Sequence, residues 1–470
     1  MVIEQIYTGC LSHAAYYIES DGEVAIFDPL RDTDSYIEKA NGNDAVIKYI
    51  FETHFHADFV SGHLDLKKKT AADIVFGPTA NPSYDAIIAK DGAIFKIGKC
   101  SIQLIHTPGH TMESSTYLII DENGKQHGLI TGDTLFIGDV GRPDLAQHVN
   151  KELTQEKLAR LLFHSLREKI MPLEDHLIIY PNHGAGSACG KKMCKETTDT
   201  LGHQKITNYA LRSDMSEDEF VSEVLSGLTN PPGYFPKNVL LNINGYQSLD
   251  SVLEESKRPL EVQEFLKLSL DEKVLILDTR DADIFAAGFV PNSLNIALNG
   301  GFAGWVGEMI SDINQKILLV TDIGKEEESM IRLARVGYDN VVGYLEVGFE
   351  SWKKLKLEID SIQRLTAIEF HEEWDGSTFL IDVRKQSEFE SEHVANALNV
   401  PLNQIYQSLD SFPKNQKFAI YCAGGYRSMI AASILKKNNF KNFYDVSGGF
   451  LEIKKCDIPI SNFKPQVTML

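Results

Sequence analysis

The chain has 470 residues, for which about three domains is the neutral expectation at roughly 100–200 residues per domain. Hydrophobic residues at 43%, charged residues at 24%, 34 Gly and 16 Pro describe a folded soluble chain and exclude disorder, collagen and coiled coil. Lys plus Arg number 46 against 66 Asp plus Glu, a formal charge of −20, which works against nucleic-acid backbones and anionic membranes as partners.

The longest uncharged stretch, Ala286 to Gly307, is broken by Asn, Pro and Gly, so it does not read as a membrane span. The N-terminal MVIEQIYTGC has no basic start and no apolar run, and no signal peptide is expected. The six cysteines, at 10, 100, 189, 194, 422 and 456, are too scattered for a disulfide framework, which predicts a reducing, cytoplasmic setting.

Over the first 210 or so residues, short β-rich runs alternate with turns, and four of the runs end in His or Asp clusters. Val46 to Glu52 leads into Thr53-His54-Phe55-His56-Ala57-Asp58, and Ser101 to Ile105 into His106-Thr107-Pro108-Gly109-His110. Gly128 to Thr131 leads into Gly132-Asp133, and His176 to Tyr180 into Pro181-Asn182-His183-Gly184. Each cluster is predicted on a loop at a strand end, where ligands for a shared site gather. Leu158, Leu161, Leu162, Leu166 and Ile170 keep helical spacing and predict a surface helix between the last two.

The run TNPPGYFPK, Thr229 to Lys237, reads as a linker or boundary. Beyond it lies a repeat. Asp278-Thr279-Arg280 and Asp382-Val383-Arg384 open two segments in which Phe285 and Phe389, Val290 and Val394, Asn292 and Asn396, and Asn295 and Asn399 keep one separation. Two tandem α/β units of roughly 100 residues each are predicted.

His54, His56, Asp58, His110, Asp133 and His183 offer nitrogen and carboxylate donors suited to zinc or to non-heme iron. Any one such His is more often a surface or core residue, but four clusters at strand ends favour a metal site. The elements THFHAD, HTPGHT, TGD and PNHGAG resemble the metallo-β-lactamase superfamily over about residues 1 to 210. Within it, Thr131 to Asp144 and Asn182 to Gly190 resemble the persulfide dioxygenase branch, particularly forms fused to rhodanese domains. The resemblance implies an N-terminal αββα sandwich followed by two α/β rhodanese-like domains, an α/β multidomain protein.

One departure bears on the metal. Dinuclear zinc hydrolases of the superfamily carry a His after the motif's Asp, and this chain has Phe59 there. A mononuclear site is therefore expected, and the resemblance implies Fe(II) held by His54, His110 and Asp133. His56, Asp58 and His183 are then orienting residues behind the ligands, with His56 an alternative ligand. Arg142 is a candidate to pair with an anionic group of a thiol carrier, or else a structural residue of its loop. Cys189 sits where a thiol could face the metal, and the resemblance implies that it assists persulfide handling. Cys194 follows in the same stretch, while Cys10, Cys100 and Cys456 have no motif around them, so burial is the default.

Lys417 to Tyr421 reads as a strand, followed by Cys422-Ala423-Gly424-Gly425-Tyr426-Arg427-Ser428 and a helical MIAASILKK. A Cys between strand and helix, with two Gly for a tight loop, can sit in a nest of backbone N–H groups. Those dipoles and Arg427 are expected to favour a sulfur anion. The Cys, four residues, Arg spacing resembles the active loop of rhodanese sulfurtransferases over about residues 362 to 458, with Cys422 the nucleophile and residues 423 to 428 binding substrate. In the first repeat Thr321 stands opposite Cys422, and Glu326, Glu327 and Glu328 follow, so that unit is read as catalytically silent.

The expected domains are 1–235, 258–356 and 362–470. Their expected joint activity is oxidation of a small thiol persulfide with molecular oxygen to sulfite and free thiol, and sulfur transfer by Cys422 to sulfite, giving thiosulfate. The implied role is sulfide and persulfide detoxification by a homo-oligomer. Two other readings stay open at this level: a dinuclear zinc thioester hydrolase of the glyoxalase II type, and a sulfur-relay protein with a non-catalytic metal domain.

Overall fold

The computed structural model describes residues 1–145, 153–228, 230–374, 376 and 378–462. Thr229, at the head of the expected linker, lies outside them. The chain divides into one unit of Met1–Val252 with Ile331–Asp339 and another of Leu253–Met330 with Asn340–Leu470.

In the first unit, one six-stranded sheet runs in chain order through β1 (Val2–Thr8), β2 (His13–Ser20), β3 (Glu23–Phe27), β4 (Val46–Phe51), β5 (Asp73–Phe76) and β6 (Ile87–Ile88). The other six strands, β7 (Ile94–Ile97), β8 (Cys100–His106), β9 (Ser115–Ile120), β10 (Gln126–Gly132), β11 (Ile178–Pro181) and β12 (Asp199–Thr200), also lie in chain order. Side chains alternate across each strand, so each sheet has two faces to bury. Tyr16, Ile18, Phe27 and Phe51 of one sheet meet Ile102, Leu104, Tyr117, Ile119 and Ile130 of the other in one core cluster. The opposite face of the first sheet, through Tyr17, Val24 and Ile26, takes Tyr36, Ala40 and Leu66 from helices. That of the second, through Leu118, Leu129 and Ile179, takes Leu162, Leu166 and Ile170. The result is the expected αββα order of layers. The Leu158 to Ile170 segment is helical as predicted, but it is α-helix over Gln155–His164 and widens to a π-helix over Ser165–Ile170.

The chain does not leave this unit at the expected boundary. Helix Phe235–Asn244 follows directly, and its Val239 and Ile243 pack on the first helical layer. Ile331–Asp339, from within the stretch expected to form the second domain, belongs to this unit as well. Arg31, with no exposed surface, is held by Asp339 at 2.7 and 3.0 Å and by the carbonyls of Ala334 and Gln247. Arg335 pairs with Asp32 at 2.6 and 2.7 Å. Proline-rich composition marked a turn in the chain, but packing sets the boundary.

The second unit holds two parallel five-stranded sheets of like order. Strands β13 (Pro259–Leu260), β14 (Val274–Asp278), β15 (Leu294–Asn295), β16 (Lys316–Val320) and β17 (Val341–Leu345) are arranged 13-17-16-14-15. Strands β18 (Gln363–Leu365), β19 (Phe379–Asp382), β20 (Glu392–Val394), β21 (Leu398–Asn399), β22 (Phe418–Tyr421), β23 (Phe443–Val446) and β24 (Ile460–Asn462) follow, with 18-23-22-19-21 in the sheet and β20 paired to β24.

The repeated residues do the same work twice. Arg280 closes on Asp278, and Arg384 on Asp382, each at 2.6 Å. Asn295 donates to the carbonyls of Asp278 and Arg280, as Asn399 does to those of Asp382 and Arg384. Asn292 and Asn396 take φ of 68° and 64°, left-handed conformations that Asn tolerates better than most residues. No helix among the described residues is long and apolar enough to cross a membrane.

Candidate metal centre and cysteine loop

Buried strands β4, β8, β10 and β11 each end where a polar loop begins, and the four loops converge. His54, His110 and Asp133 bring one ligand atom each to within 4.8 Å of the others, all three buried. Asp133 Oδ2 lies 3.8 Å from His54 Nε2 and 3.4 Å from His110 Nε2.

The outer nitrogens fix the tautomers. His110 Nδ1 lies 2.9 Å from the Arg142 carbonyl, which can only accept, so Nδ1 carries the proton and Nε2 presents a lone pair. His54 Nδ1 lies 2.9 Å from Thr53 Oγ1, whose own proton goes to Asp28 Oδ1 at 3.2 Å, so His54 has the same tautomer. Burial, then the neighbouring imidazoles of His56, His110 and His183, pulls His54 well below the ordinary histidine range. It is neutral, the form a metal requires.

Both Asp133 carboxylate oxygens are buried and accept no hydrogen bond. An uncompensated buried carboxylate is costly, and a cation beside it removes the cost. Two imidazoles and a carboxylate on one side of a point suit Fe(II) or zinc. The residues present fit a metal ion.

Asp58, His183 and Cys189 form a second buried group beside the first. His183 Nε2 lies 3.5 Å from Asp58 Oδ2 and 3.6 Å from Asp133 Oδ1, and its Nδ1 faces the Ser12 carbonyl at 3.1 Å. Burial pulls His183 down, but Asp133, Asp58 and the Ser12 carbonyl outweigh it and leave its pKa raised. Burial, then the charges of Asp58 and Asp133, pushes the Cys189 thiol well above its ordinary value. Phe59, fully buried, packs its ring 4.2 Å from His13 and 4.3 Å from His56, and brings no nitrogen to this group.

His56 faces away from the first group. Its Nε2 lies 2.9 Å from Asp28 Oδ1 and 3.5 Å from Glu52 Oε2, a third buried cluster. Asp28 also accepts from the Thr53 amide at 2.8 Å and from Asn182 at 2.7 Å, which ties the ends of β3, β4 and β11 together. Burial and Asp28 push Glu52 well above the carboxylate range, and burial pulls His63 down to about 3. Asp28, Glu52 and His63 carry no motif signal and were missed from sequence, and Asn182, though part of PNHGAG, was given no role there. Asn242 was missed too: its amide donates to the carbonyls of His56 and Phe59 at 2.8 and 2.9 Å and accepts from Ser61 N at 3.0 Å.

Arg142 differs from its expected role as an anion-pairing residue. Its guanidinium is 4% exposed and meets Asp144 through two bonds of 2.6 and 2.7 Å. Its amide donates to the Cys189 carbonyl at 2.9 Å and Nη1 to the Ala188 carbonyl at 3.4 Å. Arg142 thus orients His110 and fastens the Cys189 loop, and its charge is already matched. A cleft of about 110 Å³ opens beside His110, walled by Phe55, Ala57, Met112, Leu145, Leu153, Val239 and Ile243, with Thr111 and Glu113.

Cys422 follows β22 and is buried. Gly425 takes φ of 93°, caps helix Tyr426–Lys437, and donates its N–H to Cys422 Sγ at 3.1 Å. Phe450 N donates to the Cys422 carbonyl at 2.7 Å. Arg427 meets Glu388 through two bonds of 2.6 and 2.8 Å, so the charge expected to favour a sulfur anion is largely balanced. Ser428 is buried one turn in, Ala423 accepts from Leu451 N, and Gly424 has open space at its Cα. Tyr426 Oη points away from the loop, to the Ala297 carbonyl at 2.8 Å. In the first repeat Thr321 Oγ1 donates to the Asp322 carbonyl at 2.9 Å. Its neighbours Glu327 and Glu328 pair with Lys257 and Lys325. Of the remaining cysteines Cys100 is buried, Cys10 and Cys456 are half-buried, and Cys194 is exposed, against the default of burial.

Residues 8–179 match the metallo-beta-lactamase superfamily, and residues 261–355 and 366–456 each match the rhodanese-like domain. The solved structure of a metallo-beta-lactamase from Staphylococcus aureus is 31% identical, with a TM-score of 0.63 over 74% of this chain and 98% of that one. A probable hydroxyacylglutathione hydrolase of Schizosaccharomyces pombe is 29% identical over 43% of this chain and 81% of its own length. A hydroxyacylglutathione hydrolase of Haemophilus influenzae is 26% identical over 37% of this chain and 86% of its own length.

Proposed function

Because the chain belongs to the metallo-β-lactamase superfamily, as a metallo-β-lactamase domain followed by two rhodanese-like domains, we propose that it is a persulfide dioxygenase with sulfurtransferase activity. A low-molecular-weight thiol persulfide, dioxygen and water give sulfite and the free thiol. A second persulfide passes its outer sulfur to Cys422 and releases its thiol, and sulfite takes that sulfur as thiosulfate, returning the Cys422 thiolate. The metal would be a single non-heme Fe(II) on His54, His110 and Asp133.

The observation that carries this reading is the donor set itself. Two Nε2 lone pairs and one carboxylate converge from one side, while Phe59 withholds a nitrogen from the neighbouring group. Bound there, Fe(II) supplies the redox chemistry that dioxygen requires. His54 and His110 are held by Thr53 and by the Arg142 carbonyl, so neither ring turns when substrate enters. The apolar cleft beside His110 admits the persulfide and limits water. Burial and the charges of Asp58 and Asp133 keep Cys189 a neutral thiol beside the donor group. Cys422 is the nucleophile in the transfer step, with the Gly425 N–H at its sulfur.

Six free cysteines support a cytoplasmic setting, and the partners are the persulfide, dioxygen and sulfite, with no nucleic acid or membrane and with further copies of the chain. Dinuclear thioester hydrolysis is the second reading. It draws on the Asp58, His183 and Cys189 group and on the names of the relatives. Protein purified without oxygen and loaded with iron decides between them. Sulfite formation with oxygen uptake is expected, and thioester cleavage by a zinc-loaded protein with no oxygen uptake overturns the proposal.

A further inference from the structure

The second unit contains a domain without its cysteine, and two contacts tie that domain to the loop that has one. The Tyr426 hydroxyl donates to the Ala297 carbonyl at 2.8 Å, across 129 positions of sequence. Gly300, at φ of 97°, lies beside the ring, where a Cβ would be in ordinary contact with it at 3.4 Å. Arg364, a residue of the same repeat as Cys422, makes the second contact through Asp283. Its Nε donates to the buried Asp445 at 2.7 Å, Nη1 meets Asp283, and Nη2 reaches the Gly425 carbonyl at 3.2 Å. Deeper in, the Asn295 amide donates to Ser433 Oγ at 3.0 Å, on the helix that starts at the loop.

These contacts grip the residues that define the nest. Gly425 is the residue whose N–H points at Cys422 Sγ. Its carbonyl is held by Arg364, and a side chain at Gly425 would collide with that guanidinium at 2.6 Å. Tyr426 is the first residue of the helix that Gly425 caps. The Gly425 N–H and carbonyl lie in successive peptide units joined at its Cα, so holding the carbonyl by Arg364 and the next side chain by Ala297 restricts the Gly425 torsions that aim its N–H at Cys422. Asp283 is largely exposed and its ion pair adds little by itself. Within the second repeat the buried Asp445 holds Arg364, which holds the Gly425 carbonyl, and from the cysteine-less domain the Ala297 carbonyl holds Tyr426.

We propose that the cysteine-less rhodanese-like domain is a positioning scaffold for the Cys422 nest, acting through the Ala297 carbonyl on Tyr426, the positioning residue, and through Asn295 on the helix behind it. The proposal rests on reading Cys422 as the sulfur-transfer nucleophile. It gives the silent duplicate a task that its own Thr321 loop cannot perform, since rigid donors aimed at an anion are worth more than mobile ones.

The test uses the full-length protein. Iodoacetate, an anion, and iodoacetamide, its neutral counterpart, alkylate the same sulfur, and peptide mass analysis reads the rate at Cys422 separately from the exposed Cys194. A well-held nest favours the anionic reagent, so their rate ratio reports donor alignment and is insensitive to a uniform loss of stability. Tyr426→Phe, which cuts the contact to the Ala297 carbonyl, is expected to lower the iodoacetate to iodoacetamide ratio by about fivefold with thermal unfolding close to wild type, and Arg364→Gln, which acts within the second repeat, gives the size of the effect of a directly loosened nest. An unchanged ratio in Tyr426→Phe overturns the proposal, whatever Arg364→Gln does. Thiosulfate-to-cyanide sulfur transfer by the wild type is measured alongside. Its absence, with the ratio still falling in the variants, removes the sulfurtransferase reading of Cys422 and leaves the scaffold standing.

Discussion

The backbone carbonyl of Arg142 accepts the Nδ1 proton of His110 at 2.9 Å, while the guanidinium of the same residue is clamped by Asp144. One arginine therefore sets both the direction of a metal-facing imidazole and the seat of the Cys189 loop. Replacing Asp144 with Asn breaks the clamp and leaves both free to drift. Metal affinity is expected to fall by about 10–100-fold, the usual consequence of losing a ligand's outer partner, as read by competition with a chelator.

Asp133 pulls stability two ways. Without metal its carboxylate is buried and accepts no hydrogen bond, so Asp133→Ala is expected to leave the metal-free protein as stable as wild type or more so by about 1–2 kcal/mol. Thermal unfolding with and without Fe(II) checks this. The wild type gains stability on adding metal, and the variant shows no gain.

Phe59 separates a one-metal from a two-metal site. It is fully buried between His13 and His56, next to Asp58. Phe59→His is expected to raise bound metal toward two ions per chain in elemental analysis, with oxygen uptake reduced. A ratio that stays at one indicates that the Asp58, His183 and Cys189 group cannot take a metal even with a fourth donor.

Arg31 depends on a partner from far along the chain. Asp339→Ala leaves its guanidinium buried without a counter-charge, a loss of about 3–5 kcal/mol for a broken buried pair. Urea unfolding of the first unit reads the cost. A double variant, Arg31→Met with Asp339→Leu, is expected to recover most of it.

The Arg427–Glu388 pair gives the Cys422 loop an acid limit. Burial raises the Glu388 carboxyl, but Arg427 outweighs it and holds the folded-state pKa below the ordinary glutamate value. The stability it contributes is thus fully present above the ordinary range and is lost as pH falls through the lowered folded value. Glu388→Gln is expected to flatten that acid limb in thermal unfolding across pH, and an unchanged limb rules the pair out as its source.

By itself the sequence determined the doubled α/β unit and the residues able to hold a metal, while the layered order of the first unit came through its resemblance to a known superfamily. Strand runs ending in His or Asp, and Asp, Arg and Asn repeated at one spacing, are local patterns that bonding geometry imposes on each segment separately. Only the tertiary structure decided that Arg142 is matched by Asp144, that Asn242 beyond the presumed linker clamps the metal loop, and that residues 331–339 complete the first unit. It also sorted the histidines, with His54 and His110 turned toward Asp133 and His56 toward Asp28. These are pairings between groups distant in sequence, chosen by which buried charge or carbonyl each meets when the layers close, and no local pattern records that choice.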